Sequence, residues 1–249
     1  MKKEKKYRVL SLAGDVGELL LKNGSEIYRV EESACAVASH YGYDCNCFAT
    51  LTCLIISIEE EDGETNSLVR RVNSRTTNLD KVYKACAIIE KIDNYSMKEL
   101  KSEVKKLDRE ITYSNFMDIL GHCIVAGFFG TLFGGRILDF FVALLGGLSI
   151  GLLTRACNRL DIGSFFVNII CGFAATAIGA LGQEFGFVRD MSIPIISALM
   201  ILVPGVPFVN SMRDIFSGDL VTGISRFFEV IMIGTAIAIG SGIALHIFM

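Results

Sequence analysis

The sequence has no excess of positive charge and none of the common catalytic motifs. Its 24 Lys and Arg residues are outnumbered by 27 Asp and Glu, which gives a net charge of −3 at pH 7. Without a basic stripe to release counterions from phosphates, nucleic-acid binding is not expected. No G-x-S-x-G, P-loop or H-E-x-x-H pattern occurs. A Ser-His-Asp site around His40 stays open, since triads assemble in space, but we do not expect an enzyme.

Metal-binding patterns are equally scarce. The sequence has only three histidines, no C-x-x-C, and no cysteine pair at a spacing typical of zinc sites. We therefore predict no metal and no cofactor. We expect the eight cysteines to be reduced thiols that act as small hydrophobic side chains, in or beside a reducing cytoplasm. They are Cys35, Cys45, Cys47, Cys53, Cys86, Cys123, Cys157 and Cys171.

We also expect no secretory leader at the start of the sequence. The basic opening MKKEKKYRVL is followed by a segment that carries Asp15 and Glu18, which is too short and too charged for the apolar region of a signal peptide. We therefore expect the N-terminus to stay in the cytoplasm.

What the sequence does contain is distributed unevenly. Residues 1–115 hold 18 of the 24 basic and 19 of the 27 acidic residues, whereas 19 of the 24 glycines come later. Glycine is frequent where helices pack closely in lipid. We predict a cytosolic domain over residues 1–112 and a membrane domain over residues 113–249.

The first region alternates between helical and strand-like patterns. Apolar positions at helical spacing predict helices over 9–22 and 25–41, and short β-type runs predict strands over 43–50, 51–60 and 65–72. A turn signal at Glu61, Asp62 and Gly63 separates the last two strands. Two more helices follow over 79–92 and 96–110, the last with a capping box at Ser96 and Glu99. The pattern indicates an α+β domain.

The second region contains five apolar runs that approach the roughly 20 residues needed to cross a bilayer. They cover 116–135, 137–157, 163–182, 191–212 and 220–248. Basic residues concentrate in the first region and in alternate breaks of the second, at Arg155, Arg159 and Arg213. By the positive-inside rule, we predict a multi-pass plasma-membrane protein with a cytoplasmic N-terminus and an outside C-terminus.

Small residues recur four apart along these runs, which predicts helix backbones in close contact. The positions are Ala126, Gly130 and Gly134; Gly147 and Gly151; Gly172, Thr176 and Ala180; and Gly234, Ala238 and Gly242.

A double-proline break is the sharpest feature of the membrane region. Pro204 and Pro207 lack N–H groups and so free the carbonyls of Met200 and Val203. Such a break either lines a solute cavity or is a plain kink or exit to water, and both interpretations stay open. Polar residues near it are candidates for a site: Asn168, Thr176, Asn210, Arg213 and Asp214.

Three of the charged residues near this break have an alternative role. Arg213 and Asp214 would equally suit the membrane interface. Glu229 is followed by some twenty uncharged residues, so it is either a proton-coupling carboxylate or the partner of Arg226.

Three segments resemble one transporter family. GSEIYRVEESACAVASHYGY, NSLVRRVNSRTTNLDKV and LVPGVPFVNSMRDIFSGDLVTGISRFFEV look like the threonine/serine exporter family, in particular its shorter, split form, the YjjP-like subunit. The likeness runs from about Gly24 to the end of the last apolar run. The residues that match its N-terminal motif are Glu26, Arg29, Glu31 and Glu32, and those that match its membrane motif are Pro204, Gly205, Pro207, Asn210, Arg213 and Asp214.

The resemblance implies gradient-driven export of a small polar metabolite, either threonine and serine or a dicarboxylate such as succinate. Full-length members have about ten spans, so it also implies a separately encoded small membrane subunit or a homo-oligomer. From the residues alone, Glu26, Arg29, Glu31 and Glu32 would equally form a solvated helix face. The competing function is a membrane-anchored sensor or scaffold whose cytosolic domain binds a ligand or protein.

Overall fold

The computed structural model describes residues 2–59, 65–111 and 113–248, which form two compact units. The first unit comprises Met1–Thr112 with Val206–Phe227, and the second comprises Tyr113–Gly205 with Phe228–Met249. The turn predicted at 61–63 lies outside the described residues.

The described elements are mostly helices, with one small sheet. In chain order they are α1 (Lys2–Lys22), α2 (Ile27–His40), β1 (Asp44–Ala49), β2 (Cys53–Glu59), β3 (Thr65–Arg71), α3 (Leu79–Glu90), a 3₁₀ turn (Ile92–Asn94), α4 (Met97–Arg109), α5 (Asn115–Leu132), α6 (Ile137–Arg159), α7 (Ser164–Glu184), α8 (Ser192–Leu199), α9 (Gly205–Phe216) and α10 (Leu220–Phe248).

The core of the first unit is formed by α1, α2, α3, α4 and an antiparallel sheet of order β1-β2-β3. Side chains alternate across a strand, and Leu54, Ile56 and Ile58 of β2 all point inward and are fully buried. Gly17 lets α1 approach this face, because a Cβ at that position would lie 2.5 Å from a methyl carbon of Leu54.

Local sequence signals in this unit are confirmed. The three strands lie where their alternation predicted them, and they pair in chain order as one antiparallel meander. The capping box is present, since the Ser96 N–H donates to Glu99 at 2.8 Å and the Ser96 hydroxyl accepts from the Glu99 N–H. Helix α1 begins earlier than predicted, at Lys2.

The second unit contains most of the apolar helices. Within the described residues, four helices are long and apolar enough to cross a membrane: α5, α6, α7 and α10. The fourth predicted span, over 191–212, is divided between α8 and α9, which have only 8 and 12 residues and are separated at 200–204. A fifth crossing by this broken segment stays a prediction.

Close helix packing is confirmed at some of the predicted small residues. A Cβ on Gly147 would lie 2.4 Å from the His122 carbonyl oxygen, and one on Gly172 would lie 2.9 Å from the Ile237 carbonyl oxygen. The predicted positions of α10 do not pack within this chain, because a Cβ on Gly234 or Gly242 would meet nothing within 4 Å. The packed position is Gly240, where a Cβ would lie 2.1 Å from the Ile169 carbonyl oxygen.

Candidate functional site

A polar cavity lies among the apolar helices of the second unit. Its volume is about 330 Å³, and α5, α6, α7, α10 and the break after α8 all contribute to its wall. The lining side chains are His122, Thr154, Asn158, Ser164, Val167, Asn168, Ile201, Leu202 and Ile233. Binding pockets for small molecules have volumes of roughly 300–1,000 Å³, so this cavity suits a small metabolite.

Side-chain hydrogen bonds hold several of the polar groups in place. Asn168 donates its amide N–H to the Ser164 carbonyl oxygen at 2.8 Å, and Nδ1 of His122 lies 2.8 Å from the Asp118 carbonyl oxygen. The Thr154 hydroxyl lies 3.5 Å from the sulfur of Cys171. The cavity wall therefore offers amide, hydroxyl and imidazole groups in defined positions.

Sequence reasoning identified Asn168 but missed the other polar residues of the cavity. The available signal was a polar pair four residues apart on three successive apolar helices: Asp118 with His122, Thr154 with Asn158, and Ser164 with Asn168. Residues four apart lie on the same face of a helix. Thr176, the other predicted residue of α7, is fully buried and does not line the cavity.

The predicted break forms part of this cavity. Helix α8 ends at Leu199, and Ile201 and Leu202 of the following turn contribute to the wall. Pro204 immediately precedes α9, and Pro207 lies in its first turn, where a missing N–H costs no helical hydrogen bond. The discontinuity is thus confirmed, while Pro204, Gly205 and Pro207 are not themselves lining residues.

A second cavity, of about 500 Å³, shares His122 and Ile201 with the first. It is bounded by the start of α5 and the break, through Tyr113, Met117, Asp118, Gly121, Val125 and Met200. His122 therefore lies in the wall between two cavities of the same unit.

The remaining membrane-motif residues lie in the first unit, against the start of α2. Asp214 of α9 is fully buried, and its Oδ1 accepts a hydrogen bond from the Ile27 N–H at 3.3 Å. The first N–H groups of a helix lack intrahelical partners, so this carboxylate caps α2 at the positive end of its dipole. Burial raises the pKa of Asp214, although Arg226 and the Ile27 N–H oppose that shift.

Arg226 at the start of α10 completes this buried contact. Its Nη1 lies 3.0 Å from Oδ2 of Asp214, and its Nη2 donates to the Ser25 carbonyl oxygen at 3.3 Å. Asn210 donates to the Gly24 carbonyl oxygen at 3.1 Å. The loop before α2 is therefore held by side chains that come about 190 residues later in the sequence.

Glu26 joins the two matched motifs directly. It forms an ion pair with Arg213 of α9 and another, at 3.2 Å, with Arg29 of its own helix. Glu31 accepts from the Ala49 N–H at 2.8 Å, and the Thr222 hydroxyl donates to the Ala49 carbonyl oxygen at 3.4 Å. Burial raises the pKa of Glu31.

These contacts make one polar network out of two segments that are far apart in the sequence, which we call the motif junction: Gly24–Arg29, Glu31, Asn210, Arg213, Asp214 and Arg226. Of the predicted N-terminal residues, only Glu32 is exposed and has no part in these contacts. In the described part of the chain, no group of three His, Cys, Asp or Glu residues is arranged to hold a metal ion.

Comparison with known proteins shows the family to which this chain belongs. The profile of a family described as "Putative threonine/serine exporter" matches residues 11–248. The chain belongs to the threonine/serine exporter family. Its family and its long apolar helices support a multi-pass membrane protein, and the family is one of transporters rather than enzymes. No solved structure matches the chain.

Relatives within the family differ in length. The chain is 26% identical to the threonine/serine exporter of Corynebacterium glutamicum and 24% identical to a probable threonine/serine exporter of Mycobacterium tuberculosis. Each of these two matches covers 96% of this chain. It spans only about half of those two relatives, 51% and 46%. It is also 24% identical to the "Probable succinate transporter subunit YjjP" of Escherichia coli, over 99% of this chain and 97% of that one.

Proposed function

We propose that this chain is a subunit of a membrane exporter for a small polar metabolite, and that the substrate passes through the polar cavity of the second unit. The observation that carries the proposal is the group of hydroxyl, amide and imidazole side chains that three apolar helices direct into one space of about 330 Å³. Several polar side chains that converge on one space between apolar helices suit the binding of a small polar solute.

Threonine or serine fits this wall better than a dicarboxylate. The residues that line the cavity include no Lys or Arg. Two carboxylates taken out of water need cationic or several N–H partners, whereas an amino acid carries its own compensating charge and a hydroxyl. Succinate, named for the Escherichia coli relative, is the second candidate because that relative matches this chain in length.

The cavity lies where a cytoplasmic substrate would enter under the predicted orientation. Asn158 is at the end of α6 and Ser164 at the start of α7, on either side of a turn next to Arg159. The positive-inside rule assigns that turn to the cytoplasm. We propose that a proton gradient or the membrane potential drives export and that Glu229, exposed on α10, couples it. Wild-type gradient dependence in a Glu229→Gln variant would remove that role.

We further propose that export needs a second membrane polypeptide, either a separate subunit of the same family or another copy of this chain. Two facts support this: relatives called exporters are about twice as long as the matched region, and the relative of equal length is called a subunit. The motif junction then has a structural role, in which Asn210, Arg213 and Asp214 fix α9 to α2 instead of contacting the substrate.

The test compares two threonines that lie in apolar helices. Thr154 lines the cavity, whereas Thr235 is exposed on α10 with its hydroxyl bonded to the Ile231 carbonyl oxygen. Valine has nearly the shape of threonine and lacks the hydroxyl. If Thr154 contacts the substrate, Thr154→Val should slow threonine efflux about threefold to tenfold, the effect of one lost hydrogen bond of about 1 kcal/mol.

Thr235→Val serves as the control and should keep wild-type efflux. The assay measures efflux of threonine, serine and succinate from loaded cells that lack the native gene and carry each variant with its partner. Equal effects of both substitutions would contradict the role of the cavity. If the wild-type chain changes the efflux of none of the three solutes, the export function itself is wrong for these substrates.

A further inference from the structure

Three cysteines of the first unit converge on one point. Cys35 lies on α2, and Cys45 and Cys47 lie on β1 two residues apart, so that both point to the same face of the strand. The sulfur atoms of Cys35 and Cys45 are 2.7 Å apart, and the Cys35 sulfur also lies 3.4 Å from the Cys45 carbonyl oxygen. Cys47 is near enough to Cys35 to lower the pKa of its thiol.

These thiols differ from the cysteines of the second unit in their exposure. Cys123, Cys157 and Cys171 are buried, as small hydrophobic side chains would be. Cys35, Cys45 and Cys47 are only partly buried, so a small solute can reach them. Among the described residues, neither these three cysteines nor any other group of His, Cys, Asp and Glu is arranged to hold a metal ion.

We propose that Cys35 and Cys45 form a reversible disulfide when the protein meets a hydroperoxide. The proposal rests on the first unit alone and does not depend on the exported substrate.

The electrostatic surroundings make Cys35 the attacking group. The side chains of Cys45 and Cys47 lower the pKa of the Cys35 thiol, and Cys35 in turn raises the pKa values of those two thiols. A thiolate is the nucleophile in thiol oxidation, and it reacts faster the larger its population. Cys35 is therefore the most easily deprotonated of the three neighbouring cysteines.

The chemistry balances in two steps. The Cys35 thiolate attacks a peroxide oxygen, forming an S–O bond and breaking the O–O bond, and the released hydroxide takes up a proton to become water. Cys45 then attacks the Cys35 sulfur, the S–S bond forms, and the hydroxide that leaves takes the proton that Cys45 loses. Hydrogen peroxide thus accepts two electrons from two thiols and becomes two molecules of water.

The bond would join α2 to β1 at a point close to the motif junction. Both elements already contribute to it, since Glu31 of α2 binds the backbone of Ala49 at the end of β1. Oxidation would therefore restrain the surface of α2 and β1 on which α9 and the start of α10 are held.

The test is a peptide map of the purified full chain after hydrogen peroxide treatment and alkylation of the remaining thiols. Chymotrypsin cleaves after Tyr41 and Tyr43, which separates Cys35 from Cys45, so the disulfide appears as two joined peptides that dithiothreitol releases. Wild-type protein should yield these joined peptides. Cys35→Ser and Cys45→Ser should lose them, whereas Cys47→Ser and the matched control Cys53→Ser, on the neighbouring strand, should keep them.

Two results would overturn the proposal. One is wild-type Cys35 recovered as a sulfinic acid or an alkylated thiol with no joined peptides. The other is joined peptides that persist in Cys45→Ser, which would assign the bond to a different pair. The wild-type map alone decides between linked and unlinked forms, and fragmentation of the joined peptides shows whether Cys45 or Cys47 carries the alkyl label. A variant that fails to fold therefore leaves the test intact.

Discussion

Asp214 is a fully buried carboxylate between a guanidinium and the start of a helix. Two charges taken out of water cost free energy that their attraction repays only in good geometry with further hydrogen bonds. Here Arg226 lies 3.0 Å from Asp214, the Ile27 N–H donates to Asp214, and the Ser25 carbonyl oxygen accepts from Arg226. Removing one partner leaves the other charge buried.

We therefore expect Asp214→Ala to destabilise the protein by about 3–5 kcal/mol, the usual cost of breaking a buried ion pair. The exposed pair of Asp80 and Lys84, 2.8 Å apart, provides the control, and Asp80→Ala should cost less than about 1 kcal/mol. Thermal unfolding in detergent, followed by loss of the monodisperse peak, measures both. Similar losses for the two variants would mean that the motif junction contributes no more than a surface contact.

At the level of single residues, the sequence predicted which residues belong to the motif junction better than which residues they contact. The matched motifs selected Glu26, Arg213 and Asp214, yet nothing local in the sequence shows that they meet, because the contacts join positions 187 residues apart. Asn168 was found for its polarity in an apolar run. His122 was passed over, since its role depends on which helix faces it, and hydropathy carries no such information.

For helix α10 the sequence likewise predicted the element but not its contacts. Its existence follows from composition, but its packed face does not, because the helix is apolar on all sides. A step of two residues turns a helix by about 200°, so choosing Gly234 in place of Ala236 as a packing position selects the opposite face. The structure buries Ala236, Gly240 and Ala244 and exposes Gly234 and Gly242.

This difference predicts opposite outcomes for two glycine substitutions in α10. Gly240→Leu would push a side chain into the backbone of α7 at Ile169, and overpacking of this kind costs about 1–3 kcal/mol or more. Gly234→Leu meets open space and should be neutral or slightly stabilising, since leucine has a higher helix propensity than glycine.

The yield of folded protein in detergent and its thermal stability measure the two variants. If both are equally stable, the contact of α10 with α7 is not the one described. A folded Gly234→Leu protein with impaired export would instead place that face against something outside this chain.

The strands, the capping box and α5 to α7 follow from patterns shorter than about 25 residues, and these were predicted from the sequence. The sequence did not predict that residues 206–227 belong to the first unit, because hydropathy groups those residues with the apolar region. Burial of Asn210, Ser211 and Asp214 on one side of α9 is explained by polar partners in α2 and its preceding loop. Tertiary contacts of polar residues override the hydropathy pattern here.

At the scale of the whole molecule, the number of crossings determines on which side each loop lies. By length and composition four described helices can span a bilayer, while the charge distribution predicts five crossings and an outside C-terminus. The two possibilities differ in the segment from Asp190 to Asp219, which contains the short helices α8 and α9. If this segment crosses, the turn after α7 and the turn after α9 lie on opposite sides of the membrane.

Epitope tags inserted at Gly186 and Gly218 separate the two possibilities. Both glycines have positive φ values, 74° and 97°, and open space around them, so an insertion there disturbs no packed side chain. With five crossings, protease should remove the Gly186 tag from right-side-out vesicles and the Gly218 tag only from inside-out vesicles, together with an N-terminal tag. Removal of both tags from the same vesicles would show that α8 and α9 do not cross, and it would contradict the motif junction, which holds α9 against α2. The C-terminus would then be cytoplasmic, and the cavity beside the break would be bounded by a segment that enters and leaves the membrane on one side.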